Sequence, residues 1–167
     1  LSEEYPAQDI LRFKQAGGKD FIVFNGPDEQ YAAGRLLGAD AGIGGTYGAM
    51  PELYMKIDEL IDRGEWEKAA QVQNLVTPLS YRLCSFPSMH GAVKGIISLD
   101  GCPMGDPRLP FLPVALDDPK LVQLYHDIKA AIELKELVIQ LLKEESPVNA
   151  CASSAPDIYR RFFFFFT

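Results

Sequence analysis

Cysteine is scarce in this sequence: Cys84, Cys102 and Cys151 are the only three, and they are far apart. An odd, sparse set makes no disulfide framework, and the absence of a C-x-x-C pair removes the usual zinc-ligand spacing. A reducing compartment is therefore expected. Histidine is scarcer still. His90 and His126 each lack a His or Cys at metal-ligand spacing, so surface or packing roles are expected and no metal site. Basic residues are outnumbered, with 16 Lys and Arg against 23 Asp and Glu and a net charge of −7. That balance argues against nucleic acid as a partner and against anionic membranes. No apolar run reaches the roughly 18 residues of a membrane span. The opening LSEEYPAQDI is polar and acidic, unlike a secretory leader.

What is present is ordinary for a globular chain. Of 167 residues, 47% are hydrophobic and 23% charged, enough for one domain with a real core and too apolar for disorder throughout. Residues 6–17 read as a helix with Ile10, Leu11 and Phe13 on its apolar stripe, ended by Gly17-Gly18. FIVF (21–24) is a short unbroken apolar run, which suits a strand buried on both faces. Asn25-Gly26-Pro27 turns the chain. Asp28 can cap the helix that follows, with Glu29 favourable in its first turn and Tyr31, Ala32, Leu36 and Leu37 on its buried side. AGIGG (41–45) reads as a second buried strand.

Helices come next. One spans about 50–62, with Pro51 in its first turn, Leu53, Ile57, Leu60 and Ile61 on one face and Gly64 closing it. Another starts near Glu65-Trp66 and runs towards Tyr81, with Pro78 as a kink point. A third covers 88–98 with Met89, Ala92, Val93, Ile96 and Ile97 inward. CPMGDPRLPFLP (102–113) is irregular. A long helix at about 118–143 carries Leu121, Leu124, Ile128 and Ala131 or Ile132. The acidic residues around 133–145 read as a solvated face. The expected organisation is a unit over 1–117, a C-terminal helix over 118–144, and an irregular tail over 145–167 ending in five Phe, an aggregation hazard where exposed.

Strands alternating with helices imply parallel βαβ units. Two strands alone leave unpaired edges that invite other chains, so the pattern reads as the end of a larger α/β protein. In such folds ligands meet the C-terminal ends of strands. Here those ends are 25–29, with two carboxylates beside a helix N-terminus, and 44–48, with glycines that admit a ligand close to the main chain. A polyhydroxylated ligand fits those groups, since carboxylates accept from hydroxyls and backbone N–H groups donate to them. Asp28 serves equally as a helix cap with no ligand. GIGGTYG (42–48) is no dinucleotide fingerprint, because Tyr47 holds the last glycine place. Ser85, Ser88 and Ser98 sit in no nucleophile-elbow pattern.

The run from about residue 6 to about residue 98, with FNGPDE (24–29) and GADAGIGGTYG (38–48) as its motifs, and more loosely GCPMGDPRLPFLPV, closely resembles the last third of N-acetylneuraminate lyases. These are members of the dihydrodipicolinate synthase superfamily of class I aldolases. The resemblance implies the C-terminal part of a (β/α)8 TIM barrel, about strands seven and eight with flanking helices, plus C-terminal helices. It implies a cytoplasmic enzyme, homo-oligomeric in the full-length family, that cleaves a small 2-keto acid through a lysine Schiff base and uses no cofactor. It makes Gly26, Asp28 and Glu29 sugar contacts at one strand end. Ile43 abuts the keto-acid end, and Gly45 stands where a serine is common in bacterial lyases. Family spacing puts the Schiff-base lysine at Leu1 or Ser2, and neither is lysine. The expectation is therefore a partial, inactive lyase-like chain with no catalytic residue of its own. Two alternatives stay open: a non-catalytic barrel fragment used for binding or interaction, and a superfamily lyase for another 2-keto acid.

Overall fold

A computed structural model of the chain describes residues 7–144, with side chains as far as Lys135. The expected tail over 145–167 lies outside the described residues. Helix α1 (Gln8–Gly17) buries Ile10 but leaves Leu11 and Phe13 on the surface. Gly18, at φ 81°, stops it by taking a left-handed conformation that few other residues adopt.

Two short strands follow, β1 (Phe24–Asn25) and β2 (Ala41–Gly42), paired in parallel with Phe24 opposite Ala41 and Asn25 opposite Gly42. The ladder runs on beyond them. Asp40 N–H donates to Val23 O (2.8 Å), and Ile43 N–H donates to Asn25 O (2.9 Å). Asp40 also accepts Val23 N–H through its carboxylate (2.7 Å) and pairs with Lys14, which fixes α1 to the start of β2. Between the strands, a 3-10 turn (Asp28–Gln30) leads into α2 (Tyr31–Leu36).

The expectation of two strands buried on both faces is corrected here. Both strands are only two residues long. Val23 is buried, whereas Phe21, Ile22 and Phe24 are exposed, Ile22 by 65%. Among the described residues no third strand covers either edge. Leu36, expected inside, is also exposed, because α2 presents Tyr31, Ala32 and Gly34 to the core instead.

Helix α3 (Pro51–Asp62) buries Leu53, Ile57, Leu60 and Ile61, the face its spacing predicts, with Pro51 at its start. Gly64 (φ 73°) reverses the chain into α4 (Trp66–Cys84), which continues through Pro78. Ser88 caps α5 (Met89–Leu99) by accepting Gly91 N–H at 3.1 Å. The proline-rich stretch 102–113 forms no regular element, and α6 (Pro119–Glu144) closes the described chain.

The core lies among the helices rather than around the strands. Leu53, Ile57, Val72, Val76, Leu83, Ile96, Leu121, Leu124 and Ile128 are at most 2% exposed and share one cluster. Each such side chain contributes about 1.5–3 kcal/mol by burial. Helix α6 is held on this core by Arg82–Asp127 and by Lys129–Asp100 as well as by its leucines. Among the described residues no helix is long and apolar enough to cross a membrane.

Candidate functional site

The site is built where β1 and β2 end. Asn25 is fully buried, and its Nδ2 donates to Pro27 O (2.8 Å), folding the chain into a tight turn after β1. Gly34 of α2 packs directly on it. A Cβ at Gly34 would overlap Asn25 Oδ1 and stand 2.7 Å from its Cγ.

Asp28 does not act as a helix cap; its carboxylate turns across to the loop after β2. Oδ2 accepts from the Thr46 N–H (3.0 Å) and from the Thr46 hydroxyl (2.6 Å). Glycine at position 44 makes this possible, because a Cβ there would overlap Asp28 Oδ1 and lie 2.5 Å from Cγ. The proton order behind Thr46 follows from what each group can donate. Thr46 spends its one hydroxyl proton on Asp28, so Tyr54 Oη, at 2.7 Å, donates to Thr46. Ser80 Oγ lies 3.3 Å from both hydroxyls and completes the network from α4.

A second tie supports the first loop from below. Gln73 of α4 is buried, accepts Ala32 N–H at 2.9 Å and donates to Asp28 O at 3.2 Å. Around these ties three tyrosine rings pack together. Tyr31 meets Tyr47 and Tyr54 edge-on at 5.6 and 5.7 Å, and Tyr47 and Tyr54 lie 4.0 Å apart. Burial pushes all three phenols above their ordinary value. Asp58, hydrogen-bonded to Tyr31, adds to that shift, and so does the Asp28 charge beside Tyr47. All three are therefore protonated at neutral pH and serve as neutral hydroxyls.

Above the network is a cleft of about 350 Å³. Gly26, Asp28, Glu29, Ile43 and Gly45 all line it, together with Cys84 and Met89 from the α4–α5 junction. They differ in what they offer. Asp28 is only 6% exposed and committed to Thr46, whereas Glu29 is half-buried and Ile43 is 66% exposed. Among the described residues no lysine lines the cleft. Among the described residues no group of three His, Cys, Asp or Glu side chains could hold a metal ion. His90 stacks on Phe111 at 4.1 Å, and His126 lies against Tyr125.

Sequence reasoning missed Thr46, Tyr54, Gln73 and Ser80. The available signal was polar residues on a buried helix stripe. Gln73 and Ser80 fall in register with Ala69, Val72, Val76, Leu79 and Leu83 on the inner face of α4, where an uncharged polar group needs a partner.

Residues 6–131 match the model of the dihydrodipicolinate synthetase family. The chain belongs to that family. This family member is similar to the N-acetylneuraminate lyase of Mediterraneibacter gnavus, at 46% identity over 115 residues, which is 68% of this chain and 36% of that enzyme. It is similar to the N-acetylneuraminate lyase of Citrobacter koseri at 33% identity, over 75% of this chain and 38% of the enzyme. Among solved structures, the wild-type sialic acid aldolase of Ruminococcus gnavus superposes with a TM-score of 0.72 at 41% identity. That match covers 78% of this family member and 44% of the aldolase. The chain thus spans well under half the length of the relatives it matches. They place it in the TIM-barrel superfamily of carbon–carbon lyases.

Proposed function

We propose that this chain forms the sugar-binding edge of an N-acetylneuraminate lyase-like class I aldolase. In that reading β1 and β2 are barrel strands seven and eight, residues 1–117 are the barrel portion, 118–144 the helix packed on it, and 145–167 an appended tail. The full reaction cleaves N-acetylneuraminate to pyruvate and N-acetylmannosamine, in a cytoplasmic homo-oligomer. The observation that carries the reading is that Gly26, Asp28, Glu29, Ile43 and Gly45 line one cleft at the ends of two parallel strands, in a chain 46% identical to such a lyase over 115 residues.

Each group then has a task. Glu29 accepts hydrogen bonds from sugar hydroxyls, its carboxylate being an acceptor-only group. Asp28 holds the two loops at a fixed separation through Thr46 and so sets the spacing of the cleft walls. Gly26 and Gly45 let the ligand reach the main chain, and Ile43 gives an apolar contact towards the keto-acid end. Carbon–carbon cleavage in this reaction class needs a lysine amine to form the imine that withdraws electrons. With no lysine among the described residues that line the cleft, the chain on its own binds sugar and leaves it intact.

Titration of the full chain with N-acetylmannosamine, followed by amide NMR, tests the binding. Shifts at residues 26–29 and 43–46 that vanish in Glu29→Ala are expected. A spectrum unmoved at saturating sugar refutes the sugar-edge reading. Pyruvate release from N-acetylneuraminate, or borohydride trapping of substrate on the chain, refutes the claim of inactivity. One observation favours a second reading, a non-catalytic interaction protein: Phe21, Ile22 and Phe24 form an exposed apolar edge beside the strands, of the kind that pairs with another chain. In that case a stable complex forms without any sugar response. A lyase for a different 2-keto acid gives the shifts with another ligand instead.

A further inference from the structure

The cleft has a wall that does not come from the strand ends. Met89, the first residue of α5, and Cys84, the last of α4, both line it. Met89 is set firmly at its base, because the residue before it is the α5 cap, with Ser88 accepting Gly91 N–H. Its thioether also receives the Cys84 thiol, at 3.7 Å between the sulfurs. From that position the side chain reaches across to Gly45. A Cβ at Gly45 would stand 2.5 Å from Met89 Cε and 3.4 Å from Sδ. The space a side chain at position 45 would take is therefore already filled from another element.

We propose that Met89 is a specificity-determining residue of the cleft: its thioether stands in the place of a side chain at position 45 and makes that edge apolar. The proposal rests on the sugar-edge reading above. Its chemical content is that a ligand edge facing Gly45 meets a methyl group and a sulfur, which offer dispersion contact and no strong hydrogen bond. The favoured ligand is an amino sugar or 2-keto acid polyol with a C–H or acyl edge there. Glu29 serves the hydroxylated edge.

The Gly45–Met89 pair makes a sharp prediction, because the atom in the way is the free end of a flexible side chain. Gly45→Ser should fold, with Met89 displaced into the cleft, and N-acetylmannosamine should bind roughly tenfold more weakly, the scale of one misplaced small group in a pocket. Met89→Ala in the Gly45→Ser background removes the obstruction and should recover most of that loss. Met89→Leu keeps volume and apolarity and should stay within about twofold of the parent. The experiment is an NMR titration of the full chain and of the four variants Gly45→Ser, Met89→Ala, Gly45→Ser/Met89→Ala and Met89→Leu. The Met89 methyl resonance is followed alongside, and it should move in Gly45→Ser before any sugar is added. If the parent chain binds and the two substitutions act independently, or the methyl resonance stays put in Gly45→Ser, the assignment of Met89 is overturned and the sugar-edge reading survives. If the parent chain binds no sugar, both fall together.

Discussion

Replacing Gly44 by alanine adds one methyl group where the structure has no room for it. The new Cβ overlaps Asp28 Oδ1 and comes within 2.5 Å of Cγ. Asp28 is too short to swing only its tip away, so the whole carboxylate must leave. It then gives up the N–H and the hydroxyl of Thr46, at 3.0 and 2.6 Å. Hydrogen bonds to a charged group are worth about 1.5–3 kcal/mol each, so losing both costs about 3–6 kcal/mol. That is a large share of the roughly 5–15 kcal/mol that holds a domain folded. Gly48→Ala is the matched control in the same loop, since its Cβ would meet Ile97 Cδ1 at an acceptable 3.4 Å. Equilibrium urea unfolding followed by circular dichroism compares the two, with Asp28→Ala as a third variant that removes the same bonds directly. Gly44→Ala and Asp28→Ala should lose similar amounts of stability, and Gly48→Ala little. If Gly44→Ala unfolds within about 0.5 kcal/mol of the parent, the locked position of Asp28 is refuted.

Gln73→Ala strands the buried Ala32 N–H and should cost about 1–3 kcal/mol in the same unfolding assay. It should also broaden the amide signals of residues 26–32, while Gln71→Ala, on the exposed face of α4, does neither. Leu124→Ala empties a fully buried place under α6 and should cost about 2–5 kcal/mol, with a lower midpoint and an unchanged cleft spectrum. Acid should loosen the attachment of α6. Asp100 is held below the usual carboxylate range by Lys129 and then Tyr125, and Asp127 by Arg82 and then Gln123. A depressed folded-state value means the stabilisation is complete above the unfolded carboxylate value, about 3.9, and is lost as pH falls through the lowered folded values. Melts between pH 7 and pH 5 should therefore coincide, and protection of α6 amides should decline below about pH 4. Asp127→Asn should remove part of that acid dependence.

Helices with a continuous buried stripe were legible from sequence because a 3.6-residue period reports a face directly. Leu53, Ile57, Leu60 and Ile61 in α3, and Leu121, Leu124, Ile128 and Ala131 in α6, are all buried. The strands were less legible. FIVF has the composition of a doubly covered strand, yet only Val23 is buried, because composition records what a segment could pack against and not what is beside it. Loop chemistry at the strand ends pointed to 25–29 and 44–48, Ile43 came only with the family resemblance, and Cys84 and Met89 were not picked out. The roles within them were not. Asp28 next to a helix start reads as a cap, and its actual partner is 18 positions away. Tyr54 and Ser80 are separated from each other by 26 positions, and no local pattern signals such a pairing.

The Asp28–Thr46 and Gln73–Asp28 ties have an evolutionary consequence. They span 18 and 45 positions, so neither forms from neighbouring residues alone, and the second needs α4 in place. The same bonds that shape the ligand edge also anchor the strand ends to the helical core. Mutations in that network change recognition and foldability in one step, and a ligand that fits it raises the fold's stability by mass action. Drift is therefore free to alter the ligand only at positions outside the network, and Met89, reaching in from α5, is one of them.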